Sequence, residues 1–393
     1  MPLQALLAFL AINLACFCVA RMIAVRSAFY RAHLELPLAG GAKRVEMIDG
    51  LRGWLALGVF FHHAAYMHSY FTRGVWDFGA WQLYGDAGAV GVCLFFMVTA
   101  YLFWGRVVRA DGQLAVREFY RSRVRRIVPM YLASVLMVLA VVAVLSHFEL
   151  HVSALTLAKE LRAWFSFGFL YQGEINGIRD AHYIDAVYWT LAYEWAFYLL
   201  LPLLALFMRG ALFALMLAVA VLYCASAPVT LCFVCGALVA TIVERRLIPF
   251  SLASHWLTPL PLAALLLAFG GAHAYAPTSI ALLSIFFLFV VKDNSLFGVL
   301  ATRGAKLLGT VSYSIYLVHC IVLYCVVALV NAYVPIRELS TGMYLAIVAI
   351  AAMLTVVLSA RTYRHIEHPF ISKRGSPASG PAVTTRRAHP QMA

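Results

Sequence analysis

Arg52 and His63, eleven residues apart, are the first side chains in this sequence whose types and spacing offer chemistry. They lie in Asp49-Gly-Leu-Arg-Gly-Trp-Leu-Ala-Leu-Gly-Val-Phe-Phe-His-His63, which from Leu51 onward has the composition of a membrane helix. At ~100° per residue, eleven steps amount to about three turns plus ~20°. Both side chains therefore share a face, with His63 roughly 16 Å further along the axis. His62 is rotated by roughly 80° or more from Arg52 and is the lesser candidate. Ionisable groups inside a spanning helix are costly and usually face a bundle interior or a water-filled path. Imidazole exchanges protons near neutral pH, and arginine holds anions. The competing reading is structural, with Arg52 reaching to headgroups and His63 hydrogen-bonded in a core.

Four further constellations carry polar groups into apolar sequence. In Phe119-Tyr-Arg-Ser-Arg-Val-Arg-Arg-Ile-Val-Pro-Met-Tyr131, Arg123 and Arg126 are i,i+3 neighbours on a helix face, and forked guanidinium bonds suit a phosphorylated cofactor. Anchoring of the inner membrane face predicts the same basic run. In Tyr188-Trp-Thr-Leu-Ala-Tyr-Glu-Trp-Ala-Phe-Tyr198, Glu194 is a lone acid with Tyr198 one turn below it. Such an acid needs either a partner or a raised pKa, and a structural tie to another helix serves equally. Ser312, Tyr316 and His319 form one polar stripe at i, i+4 and i+7, which interhelical hydrogen bonding alone would explain. Tyr363-Arg-His-Ile-Glu-His-Pro-Phe370 reads as an amphipathic cap on the last helix.

The elements that must position these groups are membrane helices. With 64% hydrophobic and 12% charged residues and a mean hydropathy of +0.86, the chain is a polytopic membrane protein. No basic residue precedes its first apolar run, so that run reads as a retained helix rather than a secretory signal. Eleven spans are expected, near 3–20, 50–70, 83–104, 124–146, 187–208, 211–225, 229–243, 255–272, 277–291, 310–330 and 341–361. Residues 147–186 read as a long outer loop with an amphipathic piece at 155–170. With the first N-terminus outside, 25 of the 30 Lys and Arg residues fall on inner segments, as the positive-inside rule requires. The net charge of +13 thus describes topology and anionic lipid, and gives no argument for nucleic acid. Cys232 and Cys235 have redox-motif spacing but lie in a membrane helix, where apolar packing is the better reading. Histidine and cysteine spacing shows no metal site, so none is expected.

In residues and order, these stretches resemble the acyltransferase-3 family, integral membrane proteins of the type that O-acetylates O-antigens, Nod factors and other glycans. Asp49-Gly-Leu-Arg52-Gly with a histidine eleven residues on is similar to the family's opening motif. The segment from Arg123 through Arg125 and Arg126, before Pro129, is similar to its basic motif. Trp189-Thr-Leu-Ala-Tyr-Glu194, with Phe197-Tyr198 and Pro202, is similar to its Trp…Glu…Phe-Tyr…Pro block. Ser312 to His319 and Glu367-His-Pro-Phe370 match two late signatures. Two features depart from the pattern. Thr99-Ala100 stands where Ser-Gly is usual, with Cys93 where Asp is frequent, and the helix at 3–20 is additional to a ten-helix core.

The resemblance implies an all-α polytopic bundle of about eleven helices. Residues 1–46 would hold the extra helix and a basic cytoplasmic linker, 47–372 the acyltransferase domain, and 373–393 a disordered basic cytoplasmic tail with no fused esterase-like domain. It implies an enzyme of a bacterial inner membrane that moves an acyl group, acetyl foremost, from cytoplasmic acyl-CoA to a hydroxyl of an extracytoplasmic glycan or glycolipid, without a metal. His63, Arg52 and Glu194 would be catalytic, with His63 taking the acceptor proton or carrying the acyl group. Arg123, Arg125 and Arg126 would hold the nucleotide, Trp189, Tyr198, Tyr316 and His319 would bind substrate, and Glu194 or the Tyr316–His319 stripe would orient His63 or bind sugar hydroxyls. The alternative class is a transporter or flippase for a glycan-linked or anionic substrate, in which buried charge along a central path is equally natural.

Overall fold

The apolar runs become helices in the computed structural model, which describes residues 3–35, 46–206, 228–271 and 273–372. In chain order they are α1 (Leu3–Arg26), α2 (Ala28–Glu35), α3 (Glu46–Arg73), α4 (Gln82–Arg109), α5 (Val116–Leu145), α6 (Ala154–Trp164) and α7 (Trp189–Leu206). After these come α8 (Pro228–Glu244), α9 (Pro259–Phe269), α10 (Pro277–Val291), α11 (Arg303–Thr310), α12 (Ser312–Tyr333) and α13 (Thr341–Thr362). A widened turn, Tyr363–Glu367, leads to α14 (His368–Ser372). The fold is an all-α bundle of membrane character. Among the described residues, six helical stretches are long and apolar enough to cross a bilayer: α1, α4, α5, α7, α12 and the run Thr341–Ser372.

That is fewer than the eleven spans expected, and the reason is length and polarity. α9 and α10 have 11 and 15 residues. At ~1.5 Å per residue they reach only about 16 and 22 Å, short of a ~30 Å hydrocarbon core. α3 is long enough at 28 residues but carries Glu46, Asp49, Arg52 and four histidine and arginine side chains beyond. The span expected at 211–225 and the tail 373–393 lie outside the described residues.

α4 runs through the middle of the bundle, buried over most of its length between α3 and α8. α12 packs on α3 and α13. The additional helix α1 lies against α11 and α13 and buries a stripe of small residues, Ala5, Cys16, Ala20 and Ala24 with Ile12.

The crossing of α3 and α11 fixes the start of the Arg–His helix. A Cβ on Gly309 would sit 1.6 Å from the Asp49 carbonyl oxygen, and one on Gly53 would sit 2.5 Å from the Leu308 Cβ. Only glycine lets the two backbones meet, which gives the Asp-Gly-Leu-Arg-Gly pattern its physical reason.

Two expectations change. The segment 147–186 is more than an outer loop. Its α-helix is confined to α6, and Ile175, Ala181 and Ile184 are buried against α5 and α12. Asn176 organises the turn, accepting from the His151 N–H at 2.9 Å and donating to the Glu149 carbonyl at 2.7 Å. The cap at 363–370 is likewise not a membrane-surface amphipath. Glu367 is fully buried and accepts a hydrogen bond from Ser314, while His368 packs edge-on against Phe29 of α2.

Replacing Gly309 by alanine is expected to cost upwards of ~3 kcal/mol, the top of the range for forced overpacking. Gly270→Ala, whose nearest foreign atom would be 3.6 Å away, serves as the neutral control. Thermal unfolding of the purified variants measures both, and equal melting temperatures would show the crossing to be looser than described.

Candidate active site

At one end of the bundle, α3, α4, α5, α7 and α12 enclose a cavity of about 790 Å³. This volume lies within the roughly 300–1,000 Å³ typical of small-molecule and cofactor sites. Its polar lining is mainly guanidinium: Arg52, Arg106, Arg109, Arg123 and Arg126, against three carboxylates, Asp49, Glu194 and Glu244. Arg109 is bonded to Glu244, and Arg52 stands 3.7 Å from Asp49. Arginines outnumber the acids, so the cavity favours an anion.

The helix ends that hold these groups are fixed by backbone constraints. Pro202 lacks an N–H and leaves the Tyr198 carbonyl without its helical donor. The Tyr120 hydroxyl of α5 supplies one at 3.2 Å, tying α7 to the basic segment. Tyr198 in turn donates to Glu194. Arg123 lies over the Phe103 ring at 4.5 Å, and its buried Nε has no hydrogen-bond partner. A buried, unbonded guanidinium N–H is a donor waiting for an acceptor. The Tyr313 hydroxyl, donating to the Ile127 carbonyl at 3.0 Å, holds α12 against the same segment. Arg126 faces Glu367 and Glu194 electrostatically.

Several expected site residues therefore converge on one cavity: Arg52, Arg123, Arg126, Glu194, Tyr198 and Tyr316. Four others, Trp189, Arg125, His63 and His319, stand apart from its lining. Trp189 is 40% exposed, and it is the next residue, Thr190, that lines the cavity and bonds the Tyr316 hydroxyl at 2.7 Å. Arg125 is not among the lining residues either. Arg106, Arg109 and Glu244 do line it without having been singled out from sequence. The only sequence signal was the i,i+3 spacing of the two arginines, read there as inner-face charge.

Beyond Tyr316, away from the basic mouth, the histidine pair of α3 divides. Gly88 of α4 leaves room for His62, whose Nδ1 lies 2.8 Å from the Gly85 carbonyl oxygen. His63 turns the other way, and its Nδ1 lies 3.0 Å from His319 Nε2. His319 Nδ1 is 3.0 Å from the Ile315 carbonyl oxygen. A carbonyl only accepts, so this contact assigns the His319 proton to Nδ1 and leaves Nε2 as a lone pair. His63 Nδ1–H then donates to that lone pair, and His63 Nε2 is left as an unprotonated base. His63 keeps 8% exposure while His319 has none, so His63 is the member a substrate can reach. No hydrogen bond joins Glu194 to His63 among the described residues; the His63 Nδ1–H is shared between His319 Nε2 and the Val59 carbonyl oxygen at 3.1 Å, and His319 is the side chain that orients the ring.

On the side of His63 away from the arginines, the pair is roofed by aromatic rings. Trp76 lies 6.4 Å from His63 and stacks on Tyr183 at 4.2 Å. Tyr70 ties the same surface to Asp180 at 2.9 Å. Asp185, five residues on, is 2% exposed, and among the described residues no donor meets either carboxyl oxygen in good hydrogen-bond geometry. Tyr188 and the Val187 N–H lie beside it, but the Tyr188 hydroxyl donates to Ser134 at 2.9 Å. Burial pushes the Asp185 carboxyl well above the usual carboxylate range.

Neither the curated proteins nor the solved structures contain a match to this chain. The acyltransferase domain that defines one family of membrane enzymes does match, over residues 45–363, from the linker before α3 to the end of α13. That span holds the basic cavity and both paired histidines, and the chain belongs to the acyltransferase-3 family.

Proposed function

We propose that the protein transfers an acyl group, acetyl foremost, from acyl-CoA at the cytoplasmic face to a hydroxyl of a glycan or glycolipid on the other side of a bacterial inner membrane. The observation that carries this reading is the placement of one base between two unlike surfaces. His63 Nε2 lies beyond an arginine-lined cavity on one side and under an aromatic roof on the other.

In this reading the nucleotide stays at the basic mouth, where Arg123 and Arg126 take its phosphates by charge-assisted bonds. The thin pantetheine arm fills the cavity past Arg52 and brings the thioester to the level of Tyr316, whose ring is 6.0 Å from that of His319. The acceptor enters past Trp76. Its oxygen attacks the thioester carbonyl while His63 Nε2 takes the hydroxyl proton. The C–S bond breaks, and His63 returns that proton to the departing thiolate, giving an ester and free CoA. His319 Nε2 accepts from His63 Nδ1 throughout, which stabilises the imidazolium formed in between. Arg52 and Glu194 orient the donor, and Tyr198 holds Glu194 in place. Eleven crossings, with the C-terminus on the cytoplasmic side, complete the topology, the shorter helices α8 to α10 among them.

Three measurements test this. His63→Ala is expected to lower kcat by ~10²–10⁴-fold, the usual contribution of a general base. His62→Ala should be mild. His319→Ala should reduce kcat with KM for acetyl-CoA unchanged, as fits a positioning residue. Equal activity of the two α3 variants would remove His63 as the base.

Arg123→Ala combined with Arg126→Ala should weaken acetyl-CoA binding by at least tenfold, since a hydrogen bond to a charged group contributes roughly 1.5–3 kcal/mol. Arg125→Ala should change it little. Calorimetry on correctly inserted protein decides, and unchanged affinity in the double variant would end the nucleotide role.

In sealed, oriented vesicles, acetyl-CoA supplied only at the basic face should acetylate an acceptor held only at the opposite face. Transfer that needs both substrates on one side would rule out the through-membrane arrangement.

A further inference from the structure

One feature of the histidine pair is not used by proton transfer. Cys320 Sγ lies 3.5 Å from His319 Nε2, which is itself 3.0 Å from His63 Nδ1. The ligand atoms of these three residues all fall within 4.8 Å of one another, and all three residues are buried. Two donors on a tetrahedral zinc-type ion, at about 2.0–2.3 Å from the metal, stand roughly 3.3–3.6 Å apart. The two shorter separations already approximate this, and a small side-chain rotation closes the third. Two imidazoles and one thiol are the donor set of soft and borderline cations, not of magnesium or calcium.

A second observation concerns charge. The Cys320 thiol lies against the Ala186 backbone and within the electrostatic field of Asp185. Asp185 is a buried carboxyl whose oxygens, among the described residues, have only the Tyr188 hydroxyl and the Val187 N–H beside them, neither in good hydrogen-bond geometry. A buried acid so poorly satisfied is expensive to keep. One thiolate and one carboxylate against one divalent cation leave the pocket neutral.

We propose that His63 Nδ1, His319 Nε2 and Cys320 Sγ form a reversible site for a borderline divalent cation, zinc foremost, with Asp185 as its charge-balancing carboxylate, and that occupancy switches the base off. The proton balance gives the sign. Metal on His63 Nδ1 requires the ring proton to move to Nε2, and the Cys320 thiol and the Asp185 carboxyl each release a proton to solvent. An Nε2 that carries hydrogen cannot accept the acceptor's proton, so the ion inhibits. The binding site stands on the coordinates; its inhibitory consequence rests on the proposed role of His63.

Cobalt(II) alone, titrated into the purified full chain without substrate, reads the site directly. One ion per chain with a thiolate-to-cobalt absorption band is expected in the wild type. Cys320→Ser and Cys320→Ala should each lose the band, Asp185→Asn should weaken binding at least tenfold, and zinc should displace cobalt. Identical spectra in the wild type and the Cys320 variants, or no stoichiometric binding by folded wild-type protein, would overturn the site. In the transfer assay, zinc should inhibit the wild type and a chelator should restore it. Cys320→Ser, with uninhibited activity near that of the wild type, should need at least tenfold more zinc. A cobalt band without zinc inhibition would keep the site and refute the assignment of His63 Nε2 as the base.

Discussion

The contact between His63 and His319 requires two helices far apart in sequence to lie close together, and much of the bundle serves that approach. α3 cannot reach α12 unless its first turns pass α11 at backbone distance, which Gly53 and Gly309 allow. α12 continues directly from α11, so the crossing that admits Gly309 also sets the depth at which His319 emerges. The Ser314 hydroxyl, one turn below, is tied to the buried Glu367 after α13, and the Tyr313 hydroxyl to the α5 backbone. The imidazoles are thus held by constraints on the N-terminal part of α12 rather than by their own bond. That bond is worth little as a stabilising force, since interhelical hydrogen bonds in membranes average only about 0.6 kcal/mol.

Those constraints explain which parts of the site were legible in the sequence. The periodicity of a single helix relates residues on that helix only. The eleven-residue spacing therefore put Arg52 and His63 on one face, and the structure divides His62 and His63 between α4 and α12 as that rotation requires. The i,i+3 pair Arg123 and Arg126 reached the cavity for the same reason. Nothing in such a pattern chooses between Glu194 and the Tyr316–His319 stripe as the group that orients His63, and the structure brings His319, 256 positions away, against it. The cluster of His63, His319 and Cys320 escaped in the same way: only Cys320 and His319 are neighbours in sequence, and two adjacent residues make no spacing motif.

The fold elements that hydropathy leaves open share one physical cause. Hydropathy reports how apolar a stretch is, without saying whether lipid or protein surrounds it. α8 to α10 are apolar but short, and the segment 147–186 is polar enough to look like a surface loop while burying Ile175, Ala181 and Ile184. Glu367 is the sharpest instance. Its neighbours Arg364 and His365 are exposed, and the run looks amphipathic, yet the widened turn at Tyr363–Glu367 rotates the acid inward to Ser314. A one-residue change in helical register is invisible to a 3.6-residue periodicity and decides whether a charge meets water or protein.

The distribution of unsatisfied groups separates the two surfaces around His63. On the side of the arginines, charge exceeds its internal partners: Arg123 Nε is buried without a bond, and guanidinium outnumbers carboxylate. On the other side the deficit is reversed, with the Asp185 carboxyl, near Cys320, buried and poorly satisfied among the described residues. A bundle selected only for stability would pair or remove such groups, because each costs free energy that apolar side chains of like volume would not. Opposite deficits on the two flanks of one imidazole make that imidazole the boundary between an anion-seeking chamber and a proton- or cation-seeking one. In the proposed reaction this asymmetry is what lets a single unprotonated nitrogen receive a polyanionic donor from one direction and a neutral hydroxyl from the other.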